Sequence, residues 1–368
     1  MHIHPFKANY PNLNIDPFPN NFFEKAKSAY LTYFKQGYFS KTEDPALYIY
    51  QIEKGSQQRI GIVSSVAVQD LLEGRLKPHE STIESEEEKQ IRLLLHRKAA
   101  VKPVLAIYPQ VEQLNHWLSL YIQQHEAFFR ATLGTAAHTI WQITNPDEIA
   151  ELQWLFREKV PYSYIADGHH RAFSASRMLI RSQQGIYRKT YDQLFCAFFS
   201  SDSVEILEFN RVVTGLNGLT PLGLMAKLGA LFEITILNQA EKPAEKFEIT
   251  ACLRGEWFRL RWKEHILLEY PEETVLLDAK LLDEKVIAPI LGISDVRSDQ
   301  RMEYYEGPKG LEILEKRCRS KKLRIAFCLY PVLFEELAKV TDAGEIMPPK
   351  STWFEPRMLN GLLVRPIE

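Results

Sequence analysis

Apolar and polar positions alternate along this chain in two different periods. Ala46 to Glu53 and Arg59 to Val68 are rich in β-branched and aromatic residues, which predicts two strands. Phe22, Ala26, Ala29, Tyr30 and Tyr33 recur at helical spacing, so Phe22 to Gln36 is expected to be a helix with Gly37 as its C-terminal cap. Glu84 to Ala99 is a second helix, with Ile91, Leu94, Leu95 and Ala99 on one face and four glutamates crowding its N-terminal end. Ser85 with Glu88, and Ser81 with Glu84, have capping-box spacing.

Further along, Val104 to Tyr108 reads as a strand, Val111 to Gln124 as an amphipathic helix, and Ile149 to Lys159 as a helix ahead of the strand Tyr162 to Ala166. Arg188 to Phe199 leads into another strand, and Pro221 to Phe232 is helical. Phe247 to Trp262 and Ile266 to Tyr270 form an antiparallel candidate, with a final strand near Arg324 to Tyr330. This mixture predicts an α+β or mixed α/β fold and not a repetitive βαβ array. The best boundary is the loop Gly215 to Thr220, giving a core over 1–215 and a second α+β part over 216–368.

Composition narrows the function only by exclusion. With 45 basic against 47 acidic side chains, the net charge of -2 offers no general attraction for nucleic acid. The one basic run, Lys316 to Arg324, reads as a solvated loop. No apolar stretch is long enough to span a bilayer, and Met1 to Phe6 lacks the pattern of a signal peptide. The four cysteines are scattered, so free thiols are expected in a cytoplasmic protein. His2-Ile3-His4 offers two imidazoles to a metal, although a disordered terminus is the commoner fate of such a stretch.

The chemistry gathers in four clusters. Asp167-Gly168-His169-His170-Arg171 falls between a buried strand and a helix whose face carries Ala172, Ala175, Ser176 and Leu179. A glycine relaxes such a turn, and the first amides of the new helix are unpaired, so with Arg171 and two imidazoles the turn is suited to an anion. Asp167 would orient an imidazole or hold a cation; the bland alternative is a helix cap with Arg171 paired to Asp167. Lys77-Pro78-His79-Glu80-Ser81-Thr82 packs a cation, an imidazole, a carboxylate and two hydroxyls together. Glu80 beside His79 suits a general base and Lys77 a phosphate clamp, against the alternative of an ordinary N-cap.

Met347 to Phe354 has Walker A spacing from Gly344, but Pro348 and Pro349 remove backbone donors that a P-loop needs. Lys350, Ser351 and Thr352 then bind an anion in another geometry or simply follow a rigid turn. Asn210-Arg211 sits inside an apolar segment; buried, the arginine needs a partner or ligand, whereas an edge strand would expose it. Gly-x-Gly-x-x-Gly, Gly-x-Ser-x-Gly and the protein-kinase set are absent, and no His-Glu pair completes His-Glu-x-x-His.

These clusters, in this order, resemble the domain-of-unknown-function 1015 family. The matches run from Pro5-Phe6 through Lys77-Pro78-His79-Glu80, Thr82, Ile165 to Arg171, Asn210-Arg211, Leu277-Asp278, Leu291-Gly292 and Met347 to Thr352 to Gly361-Leu362. Two departures stand out. Asn14 to Pro19 lacks the family's early Pro-Pro-Tyr-Asp-Val, and Glu88-Lys89-Gln90 replaces its Glu-Asp-Arg. More distantly, the Gly-His-His-Arg turn is similar to the phosphate-binding signature of the ParB/sulfiredoxin-like superfamily. That likeness implies a ParB/sulfiredoxin-like core with an additional C-terminal part that returns Lys350 to Thr352 to the site. It further implies phosphate contacts at Gly168, His169, His170 and Arg171, and Glu80 as the base for an acceptor hydroxyl.

The leading expectation is a phosphotransferase that uses ATP or ADP with Mg2+ on a small hydroxyl compound such as serine. His79, Glu80 and Asp167 would do the chemistry. Lys77, Thr82, Asn210, Arg211, Lys350, Ser351 and Thr352 would join the turn in binding nucleotide, with Asp167 or Glu80 on the metal. The alternatives are a metal-dependent hydrolase with His79, His169, His170 and Asp167 as ligands, and a nucleotide-binding regulator without catalysis.

Overall fold

The computed structural model describes residues 1–15, 18–187, 189 and 191–367, and the chain divides into two units. The first takes residues 1–205 and 356–368, the second Ile206–Glu355. The division therefore comes before the loop Gly215 to Thr220, and the last segment of the chain belongs to the first unit.

The first unit is built on a nine-stranded mixed sheet. Its order is Leu76–Lys77, Ser163–Asp167, Val104–Tyr108, Gln193–Ser200, Gln57–Ala67, Leu47–Lys54, Ala136–Ile143 and Phe129–Leu133, with Ile3–His4 also pairing on Gln57–Ala67. Two of the pairings are parallel: Leu76–Lys77 with Ser163–Asp167, and Val104–Tyr108 with Gln193–Ser200. Buried side chains such as Ile49, Ile62, Ala106 and Phe198 from these strands pack with Leu152 and Phe156 of the helix Pro146–Lys159. Asn145 caps that helix by accepting from the Asp147 amide at 2.9 Å.

The second unit has a six-stranded antiparallel sheet. Its order is Phe232–Leu237, Glu256–Trp262, Glu248–Leu253, Arg324–Cys328, Phe209–Thr214 and Met302–Glu306. The mixed α/β content agrees with the fold class read from the sequence. All four cysteines are buried and free, and among the described residues no helix is long and apolar enough to cross a membrane.

Several elements differ from the expectation. Ile266 to Tyr270 is no strand: Glu264–Leu267 closes a helical turn, because Ile266, Leu267 and Leu268 are consecutive apolar residues without alternation. The helix after Ser81 begins at Glu84 with Ile83 at its cap, and neither Ser81 nor Ser85 provides a side-chain cap. The basic run is not all loop, since Lys316 and Arg317 finish the helix Leu311–Cys318. The amino-terminal His-Ile-His is ordered, with Ile3 and His4 paired to Val66 and Ser65 and His2 Nδ1 2.9 Å from Asp70. The strand expected from Arg188 starts at Gln193; Arg188 and Thr190, like Asp16 and Pro17 of the Asn14 to Pro19 stretch, lie outside the described residues.

Candidate functional site

Ser163–Asp167 is a buried strand because Ser163, Tyr164, Ile165 and Ala166 all face packed protein. Gly168 then turns the chain at φ 106, a left-handed conformation, and the helix His169–Gln183 begins immediately. A Cβ at Gly168 would lie 2.7 Å from the Arg171 guanidinium, so the turn and the arginine are packed as one piece. Ala172, Ala175, Ser176 and Leu179 are buried along the helix, as its small-residue face predicts. Arg171 and Ala172 both donate their amides to Gly168 O, which leaves the amides of His169 and His170 without a helical acceptor.

Asp167 is an anchor of this turn. Its Oδ2 accepts from Lys102 Nζ at 2.8 Å and from Arg171 Nη2 at 2.9 Å, and Arg357 Nη1 lies 3.6 Å from Oδ1. Burial opposes ionisation here, but Arg171 and Lys102, followed by Arg357, hold the carboxyl well below the usual carboxylate range. Arg171 also donates Nη1 to the backbone oxygens of Lys102 at 3.1 Å and Pro103 at 2.6 Å. The Arg171–Asp167 pairing that the bland reading required is therefore present, within a larger network.

The second cluster lies directly beside the first. Leu76 and Lys77 pair in parallel with Ser163 and Tyr164, so the two strands run out of the sheet together. Lys77 Nζ stands over the Tyr162 ring, 4.4 Å from its centroid. Past this strand, His79 packs edge-on against His169 with ring centroids 4.5 Å apart, and Glu80 Oε2 is 3.7 Å from His169 Nδ1. Burial pushes His79 down to about 4 and, with the neighbouring His79, pushes His169 well below the ordinary histidine range. Both imidazoles are thus neutral bases at pH 7, while Nε2 of His169 and Nδ1 of His170 are buried with no hydrogen-bond partner among the described residues. Thr82 hydrogen-bonds Glu87, which also pairs with Arg177, so its hydroxyl braces the acidic helix.

Asn210, Arg211, Lys350, Ser351 and Thr352 all fall in the second unit. The strand Phe209–Thr214 is internal, between Arg324–Cys328 and Met302–Glu306, and Arg211 is 0% exposed, which overturns the edge-strand alternative. Its partner is Asp283, with Nη2 3.4 Å from Oδ2 in a turn of π-helix over Asp283–Ile287. Lys350 Nζ is 5.3 Å from the Phe209 ring centroid, and Ser351 Oγ donates to Pro348 O at 2.8 Å. A proline-rigid turn leading into the strand Trp353–Glu355 is what these residues form.

Sequence reasoning missed Lys102, Arg357 and Asp283. Lys102 had a faint signal, a lone cation between Val101 and Pro103 at the entrance to a buried strand. Arg357 had none.

The fold is of the α+β class, with mixed α/β content. The chain belongs to the DUF1015 family, described as a protein of unknown function, whose model matches residues 9–285. No curated protein matches it. Among solved structures it is similar to a free serine kinase in complex with AMP, at 14% identity and TM-score 0.37, covering 82% of this chain and 92% of that one. It is also similar to a conserved hypothetical protein from Pyrococcus furiosus, at 14% identity and TM-score 0.38, covering 81% of this chain and 93% of that one. A C-terminally truncated SbnI from Staphylococcus aureus gives 16% identity and TM-score 0.42, covering 81% and 85%.

Proposed function

We propose that the chain is a nucleotide-dependent phosphotransferase acting on a small hydroxyl compound, with its reaction centre at His79, Glu80 and the Gly168 turn. The observation that carries this is the parallel pairing of Leu76–Lys77 with Ser163–Tyr164, because it sets a carboxylate and two neutral imidazoles at the opening of a helix. Phosphoryl transfer asks mainly for donors around the phosphates and a base at the acceptor. The amides of His169 and His170 with the His170 ring supply the donors, and Lys77 adds a cation. Glu80, whose side chain is 36% exposed, takes the proton of the acceptor hydroxyl as that oxygen attacks the terminal phosphorus and the nucleoside diphosphate or monophosphate departs.

Magnesium fits Glu80 better than Asp167. Both oxygens of Asp167 already face cations, whereas the partly exposed Glu80 carboxylate would hold the ion, which would supply positive charge at the phosphates. Asp167 and Arg171 hold the turn in shape. Nucleotide binding by Asn210, Arg211, Lys350, Ser351 and Thr352 rests on the family resemblance and on the anion-binding character of these side chains.

A second reading has its own observation. His79, Glu80 and His169 offer ligand atoms that all lie within 4.8 Å of one another, as a divalent-metal hydrolase requires. The ligand set is then His79, Glu80 and His169, not one that includes Asp167. Calorimetric titration with ATP, ADP and CTP, with and without magnesium, separates the readings. Saturable nucleotide binding, weakened about tenfold or more by His170→Ala, supports phosphotransfer. No nucleotide binding together with stoichiometric zinc, manganese or iron in the purified protein would favour the hydrolase. Nucleotide binding without diphosphate or monophosphate formation from any small alcohol, serine included, would leave a regulator.

A further inference from the structure

On another face of the helix His169–Gln183 lies a cavity of about 120 Å3 whose wall is cationic. Lys27, Arg97, Lys102, Arg171 and Arg365 all line it, and Asp192 is the one acidic residue among the described lining. Lys102 and Arg171 are neutralised in part by their shared Asp167. No carboxylate among the described residues pairs with Lys27 or Arg97. Arg365, held by the short pairing of Arg365 and Pro366 with Ala100 and Ala99, reaches only the Gln193 carbonyl oxygen, at 3.4 Å.

Lys27 is exposed and the other four cations are half-buried, so five like charges repel one another where they meet at this cavity. Arginine sheds no proton at ordinary pH, so the half-buried Arg97 and Arg365 keep their charge at the cavity wall, where Asp192 is the carboxylate that acts on Arg365. Burial, together with Arg171 and Arg97, lowers the Lys27 ammonium below its ordinary value, and burial lowers Arg365. The cavity opens to solvent past Lys27, and its volume of about 120 Å3 is well under the roughly 300 Å3 at which pockets begin to hold drug-sized ligands, so it does not take in a whole nucleotide. A single oxyanion group does. The cavity adjoins the turn through Arg171, but His79, Glu80, His169 and His170 are not among its lining residues; Gln90, Leu93, Leu94 and Arg97 of the helix Glu84–Arg97 face it instead.

We propose that this cavity is a binding site for a phosphate group, free or carried on a small organic molecule, distinct from the histidine site. Its occupant would meet Lys102 and Arg171, the same two side chains that grip Asp167 at the turn.

The test is calorimetric titration of the full chain with inorganic pyrophosphate and, separately, with glycerol 3-phosphate. Saturable binding of either supports the site, and a preference for the ester identifies an organic phosphate as the natural occupant. Arg97→Gln and Lys27→Gln remove no hydrogen bond seen in the fold, so both variants should remain folded and each should weaken that binding about tenfold or more. His170→Ala should leave it within twofold or so. Binding of neither compound, or binding lost in His170→Ala and kept in Arg97→Gln, would overturn the proposal. ATP affinity measured in the same variants is an independent reading. A chain that binds no ATP and yet loses pyrophosphate on Arg97→Gln would sink the phosphotransfer function and leave this cavity standing.

Discussion

His79 is 2% exposed and its imidazole is held down to about 4 by burial, against an ordinary value near 6.5. Between those two pH values the unfolded chain binds a proton that the native chain does not. Stability carried by this group is therefore full above about pH 6.5 and is lost as pH falls towards 4, by an amount on the order of 3 kcal/mol. Urea midpoints measured at pH 7 and pH 5 should fall with acid, and His79→Leu should flatten part of that slope. An unchanged slope in the variant would mean that His79 is not buried neutral. Asp167 shows the opposite balance, a carboxylate kept charged inside the protein by cations drawn from three separate segments. Those partners explain why its role was hard to read: Lys102 is 65 positions away, and nothing in the local pattern joins them.

At the scale of elements, much of the fold was legible because periodicity was strong. Val104–Tyr108 matches its expected span, and Phe22–Lys35 and Pro221–Leu231 differ from theirs by a residue. Gly37, at φ 83, follows the end of the first of these helices as a left-handed cap. Ile266 to Tyr270 failed because a run of adjacent apolar residues does not distinguish a strand from a helical turn. Capping-box spacing at Ser81 failed because the helix starts at Glu84 with Ile83 as its cap, and the Glu84 carboxylate pairs with Arg177 instead. The turn itself yields a prediction. Gly168→Ala adds a Cβ at φ 106 and 2.7 Å from the Arg171 guanidinium, and should cost about 1–3 kcal/mol. Chemical denaturation measures this, and a variant as stable as the parent would show that the turn relaxes freely.

Over the whole molecule, the two units should answer pH in opposite senses. In the second unit Asp278 is pushed up to about 7, first by burial, while accepting from the Phe247 amide at 3.2 Å. Its native form binds more protons than its unfolded form between about pH 4 and 7, so that unit loses stability as pH rises through the window in which the first unit gains it. Asp278→Asn should therefore raise protection above pH 7 and change little near pH 4. Hydrogen exchange in the strand Glu248–Leu253 reads this unit separately from the histidine-bearing one. Equal protection in variant and parent at pH 8 would contradict a buried carboxyl.

The return of residues 356–368 to the first unit orders events during synthesis. Arg357 reaches Asp167, and Arg365 and Pro366 pair with Ala100 and Ala99, so the unit begun first is finished last. Every residue of Ile206–Glu355 is therefore synthesised before Arg365 and Pro366, which complete the pairing with Ala100 and Ala99. The nascent chain thus carries an incomplete first unit when the whole of the second has already been made, and the cationic cavity gains Arg365 only after that.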